Sequence, residues 1–69
     1  MKLYYIEVYL KTYTEREIYK QKIGAYYTRA NTPQKAENNI RYKHYFYDNM
    51  DYGYEEIYVF KITEITPHN

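Results

Sequence analysis

Residues 2–14 read KLYYIEVYLKTYT, and their alternation decides the fold. Tyr4, Ile6, Val8 and Leu10 fall on one side of an extended chain, and Tyr5, Glu7, Tyr9, Lys11 and Tyr13 on the other. A period of two sustained over this length predicts a β-strand, because successive side chains of an extended backbone point to opposite faces. The first side is apolar and faces a core. The second mixes tyrosine with both signs of charge and faces water or a partner.

Working outward, Thr12, Thr14, Glu15 and Arg16 form a polar turn without glycine or proline, so a second strand returns over Glu17–Ala30 as the other arm of a hairpin. Its pattern changes phase, since Ile18 and Ile23 cannot share a face of a regular strand. Gly24 beside the mismatch predicts a bulge within Gln21–Gly24, after which Tyr26, Thr28 and Ala30 face inward. Asn31, Thr32 and Pro33 then mark a helix start, with threonine as N-cap and proline in the first turn. Ala36, Ile40 and Tyr47 recur at helical spacing and give a narrow apolar stripe. Asp48–Glu56 reads as a loop, with Asn49 as the helix C-cap and Gly53 free to take a positive φ. A third strand follows over Ile57–Thr66, apolar on both faces at its centre, as a strand covered on both sides is.

The expectation is a single α+β domain over residues 1–66: a ββαβ unit with an antiparallel three-stranded sheet and one helix packed on one face. Pro67–Asn69 is expected to be a frayed tail.

Tyrosine supplies 13 of the 69 residues, while tryptophan and cysteine are absent. A chain of this size buries only about 60% of the surface it exposes when unfolded. Tyrosine gives large contact area at low rotamer cost with a polar tip, a balance suited to binding surfaces. Without cysteine there is neither a disulfide nor a thiolate metal site to reinforce so small a core, so a partner or a homodimer is expected to cover part of it. The residues after Met1 enter a charged alternating pattern with no apolar signal core, and no stretch reaches the ~20 apolar residues of a membrane span. A cytoplasmic protein without a membrane role is expected. Heavy use of Tyr, Lys, Ile and Asn, all AT-rich in codons, points to a low-GC source such as a phage or mobile element.

The formal charge of +1 places the chain in neither the strongly basic class nor the acidic nucleic-acid mimics. Serine is absent as well as cysteine, which removes the commonest hydrolytic nucleophiles. His44 reads as a packing residue, with no partner that would make it a general base. Asp48, Asp51, Glu55 and Glu56 do not follow the spacing of a calcium loop and read as a solvated segment or a contact for a basic surface. No catalytic residue, cofactor or metal is expected.

The sequence therefore predicts a non-enzymatic protein-binding module, of the type of small phage inhibitors that act on host proteins, including anti-CRISPR proteins. The partner-binding residues expected are Tyr5, Tyr9, Lys11, Tyr13, Tyr45, Phe46, Asp48 and Asp51, with Tyr58 and Phe60 extending the outer face of the first strand. The alternative is a single-stranded nucleic-acid binder that stacks bases on the same tyrosines and holds phosphates with Lys20, Lys22 and Arg29.

Overall fold

In the computed structural model, which describes residues 1–67, the first strand, β1 (Lys2–Thr14), is hydrogen-bonded along nearly its whole length on both sides. Its neighbours are β2 (Ile18–Ala30) and the last strand, β4 (Tyr54–Ile65), both antiparallel to it. Between them in the chain come α1 (Pro33–His44) and a short strand, β3 (Asn49–Asp51). The sheet runs β2-β1-β4-β3. The class is α+β as expected, but the sheet has four strands and the order is ββαββ.

The alternation of β1 does the predicted work. Tyr4, Ile6 and Val8 turn to the helix side and are buried with Ala30, Ala36 and Ile40, while Ile23, Tyr26, Phe46, Tyr58, Phe60 and Ile62 pack around them. The predicted bulge is present: Val8 lies opposite Gly24 and Tyr9 opposite Lys22, which leaves Ile23 as the extra residue. That shift restores the phase, so Tyr26 and Thr28 lie opposite Ile6 and Tyr4 on the core side. Gly24 also makes room for Tyr26, since a β-carbon there would lie 2.6 Å from the Tyr26 hydroxyl.

The helix starts where its cap residues place it. Thr32 Oγ1 accepts a hydrogen bond from the Lys35 N–H at 3.2 Å, and Pro33 occupies the first turn. Its end differs from the expectation. The helix stops at His44, and Tyr45, not Asn49, caps it in the left-handed conformation at φ 58°. The Phe46 N–H then reaches back to the Arg41 carbonyl at 2.9 Å, closing a Schellman-type turn. A left-handed non-glycine residue costs about 1–2 kcal/mol. The compensation is the packing of the half-buried Phe46, whose ring stacks on Tyr58 at 5.1 Å and meets Phe60 at 6.4 Å. Tyr47 consequently leaves the helical stripe and is exposed.

Asn49–Asp51, expected as loop, pairs with Tyr54–Glu56 around Tyr52 and Gly53, with Gly53 at φ 76°. The pairing starts β4 three residues earlier than Ile57. The face assignment of β4 is also corrected. Phe60 lies opposite Val8 and Tyr58 opposite Leu10, so both face the helix side and neither extends the outer face. Ile57 and Val59 take the outer positions, opposite Lys11 and Tyr9, on a side of the sheet that no helix covers. Of the expected tail, Pro67 follows β4 without regular structure, and His68 and Asn69 lie outside the described residues.

The Tyr4 ring is 1% exposed, and its hydroxyl has no hydrogen-bond partner among the described residues. An unpaired buried hydroxyl costs about 1–3 kcal/mol, so Tyr4→Phe is expected to raise the melting temperature by roughly 4–8 °C per kcal/mol recovered. Gly24→Ala is expected to lower stability by about 1–3 kcal/mol, because the new methyl displaces the packed Tyr26 ring. Thermal denaturation of the two variants beside the parent checks both signs.

Candidate functional site

The sheet has one covered face and one open face, and the strand pairing states which residues lie on the open one. Along β1 they are Leu3, Tyr5, Glu7, Tyr9, Lys11 and Tyr13. The register sets Arg29, Tyr27, Lys22, Lys20 and Ile18 of β2 beside them, and on the other flank Lys61, Val59, Ile57 and Glu55 of β4. The small net charge of the chain therefore hides a sided distribution. The open face carries five cations, Lys11, Lys20, Lys22, Arg29 and Lys61, against two carboxylates, Glu7 and Glu55.

The side chains of this face are held by one another. Lys22 Nζ lies 2.9 Å from a Glu7 oxygen, and the Tyr9 hydroxyl donates to the same carboxylate at 3.3 Å. Lys20 Nζ sits 4.9 Å from the Tyr9 ring centroid, a cation–π contact. Tyr5 and Tyr27, opposite each other in the register, tilt together with ring centroids 5.0 Å apart. Such cross-strand pairs stabilise a sheet. Lys11 has no such contact, and its cross-strand partner is Lys20. They are directly opposed, and no carboxylate among the described residues lies within ion-pair distance of either.

The hydrogen bond from Lys22 holds the Glu7 carboxyl below its ordinary value of 4.5, with smaller help from Tyr9 and Lys61. The same contact raises Lys22 above 10.5. A carboxyl with a depressed folded pKa adds stability above its unfolded value and loses it as pH falls through the folded one. An ammonium with a raised pKa adds stability below its unfolded value and loses it as pH rises through the folded one. The pair therefore contributes between these limits and fades outside them.

The eight residues expected to form one partner-binding surface do not do so. Tyr5, Tyr9, Lys11 and Tyr13 are together on the open face, joined there by Lys20, Lys22 and Arg29. Tyr45, Phe46, Asp48 and Asp51 lie towards the helix side or the β3 edge. Phe46 is taken up by packing against Tyr26, His44, Tyr58 and Phe60. Asp48 Oδ1 accepts the Tyr58 N–H at 2.9 Å and lies 3.8 Å from Arg41, so it ties the loop to the edge of β4. Tyr45 instead belongs to a second exposed aromatic group with Tyr42 and Tyr47, whose rings lie 6.1 and 6.3 Å apart.

Sequence reasoning missed Tyr27, Lys61, Ile57 and Val59 as members of the open face. The signal for Tyr27 was present, because a bulge that turns Tyr26 inward turns its neighbour outward.

His44 leans on Tyr26 with ring centroids 4.2 Å apart and stacks on Phe46 at 5.5 Å, a packing arrangement. Among the described residues no group of three or more His, Cys, Asp or Glu is placed to hold a metal, and no helix is long and apolar enough to cross a membrane. A depression of about 320 Å³ at the end of the sheet is lined by Lys2, Leu3, Arg29, Glu64, Ile65 and Pro67, with Lys2 Nζ 3.4 Å from a Glu64 oxygen. No protein-family model, curated protein or solved structure matches the chain.

Lys22→Met is expected to move the Glu7 titration midpoint upward, towards 4.5, in carbonyl-detected NMR of the folded protein. An unchanged midpoint would show that the contact with Lys22 does not persist in solution.

Proposed function

We propose that this chain is a non-catalytic protein-binding module that docks through the open sheet face, in the manner of small phage or mobile-element inhibitors that act on a host protein in the cytoplasm. The observation that carries this reading is the concentration on one uncovered face of Tyr5, Tyr9, Tyr13 and Tyr27 together with five cations. Tyrosine and arginine are enriched at interface hot spots, and the aliphatic side chains of Ile57 and Val59 between them offer area to desolvate. Self-association face to face is disfavoured, because it would press two positively biased surfaces together.

A second reading, binding of single-stranded nucleic acid, gains from Lys20, Lys22 and Arg29 sharing this face with the tyrosines. It is weakened by the rings themselves. Lys20 already covers the Tyr9 ring and Tyr5 leans on Tyr27, so neither ring is free to stack a base without giving up a contact.

The test is selective loss of binding. On a column of the immobilised protein, Tyr9→Ala and Tyr13→Ala are each expected to weaken retention of the partner recovered from source cells by about thirtyfold, the scale of a 2 kcal/mol hot spot. Tyr42→Ala and Tyr47→Ala, on the second aromatic group, are expected to leave it unchanged. The reverse pattern would move the docking site to the helix side. Binding to an oligothymidylate that weakens steeply with salt would favour the nucleic-acid reading.

A further inference from the structure

We infer that the occupant of the open face is an acidic protein surface whose carboxylates seat over Lys11 and Lys20, between the rings of Tyr9 and Tyr13. This rests on the reading of the chain as a protein-binding module and adds the chemistry of the partner. Its ground is a conflict between local stability and sequence. Like charges directly opposed across an antiparallel pair destabilise a sheet, yet Lys11 and Lys20 face each other on the open face, at the third pair from the hairpin turn. The neighbours of Lys11 on that face are in part accommodated: Lys22 pairs with Glu7, Tyr5 with Tyr27, and Lys20 lies over the Tyr9 ring. Lys11 has no such contact, since its other cross-strand neighbour is Ile57. A repulsive pair kept where a carboxylate on either strand would relieve it marks a position chosen for something outside the fold.

The surroundings say what that something is. Two ammonium groups on adjacent strands attract a pair of anionic oxygens. Ile57, Val59 and exposed Ile18 flank them and suit the apolar parts of a protein surface, whereas a phosphate backbone would leave these side chains without a counterpart. The remaining cations, Arg29 and Lys61, extend the attraction along the sheet and steer an acidic partner to it.

The experiment uses the whole chain, isotope-labelled for NMR, titrated with poly-L-glutamate, with oligothymidylate and with poly-L-lysine. Poly-L-glutamate is expected to shift the amides of Lys11, Tyr13 and Lys20 saturably, with weaker binding as salt rises. Lys11→Glu is expected to weaken this binding at least tenfold while raising the melting temperature by about 2–5 °C, because it turns a repulsive cross-strand pair into an attractive one. Gain of stability with loss of binding is an outcome that a purely structural role for Lys11 does not produce. The double variant Lys35→Glu, Lys43→Glu, on the helix, is expected to leave the amide shifts in place.

The inference is overturned if poly-L-glutamate produces no saturable shift at Lys11 and Lys20, or if the helix variant weakens binding as much as Lys11→Glu does. It is also overturned if oligothymidylate binds the same residues more tightly than poly-L-glutamate, which would make nucleic acid the occupant. If the poly-L-glutamate titration fails while Tyr9→Ala still abolishes partner retention, only the acidic character of the partner falls. If both fail, the docking face itself is withdrawn.

Discussion

One helix must serve a sheet more than twice its length, and the rest of the structure follows from that mismatch. The 12 residues of α1 span about 18 Å, while strands of 13 residues extend to about 43 Å. The molecule is accordingly long and thin, 50 × 19 × 15 Å. The helix shields Tyr4, Ile6 and Val8 at one end, and among the described residues no helix shields the other face. Six of the described residues form the buried core, so the chain depends on side chains that tolerate half-burial. Tyrosine meets that demand, with an apolar ring to lie on the sheet and a hydroxyl to reach water. One of the 13 is buried, five are half-buried and seven are exposed.

Closure of the covered side rests on Arg41. Its guanidinium lies 4.6 Å from the Phe60 ring, donates to the Phe46 carbonyl at 3.0 Å and meets Glu37 at 3.2 Å. Its carbonyl accepts the Phe46 N–H that ends the helix. These contacts, with Asp48 on the Tyr58 N–H, turn the chain back along β4 and consume polar groups that the sequence displays as a surface cluster. The open face has no such consumption. Its charges pair in part, and the unpaired remainder is Lys11, Lys20, Arg29 and Lys61 against Glu55.

Much of the fold was legible because period and punctuation agreed. Residues 2–14 alternate without interruption, the phase break at Ile23 beside Gly24 announces the bulge, and Thr32-Pro33 announces the helix. What was not legible lacked a local signal. Asn49–Asp51 is three exposed residues, two polar and one methionine, whose strand character comes only from pairing with β4. The helix end at Tyr45 carries no glycine, and its left-handed turn is paid for by tertiary packing of Phe46, which no spacing reveals. The candidate face was half legible. Alternation placed Tyr5, Tyr9, Lys11 and Tyr13 together, but separating them from Phe46 and Asp48 required a register that only β4 pairing supplies. A strand that is apolar on both sides does not announce which side meets the helix, and so Tyr58 and Phe60 were placed outward when they face in.

The central claim is that the uncovered sheet face, and not the aromatic group at the helix end, meets the partner. The most direct measurement is fluorine NMR of the protein carrying 3-fluorotyrosine, compared in buffer and in an extract of source cells. The account predicts that the signals of Tyr5, Tyr9 and Tyr13 broaden or shift in the extract while those of Tyr42, Tyr45 and Tyr47 hold their positions. Shifts confined to the latter three, with the sheet-face signals unmoved, would contradict it.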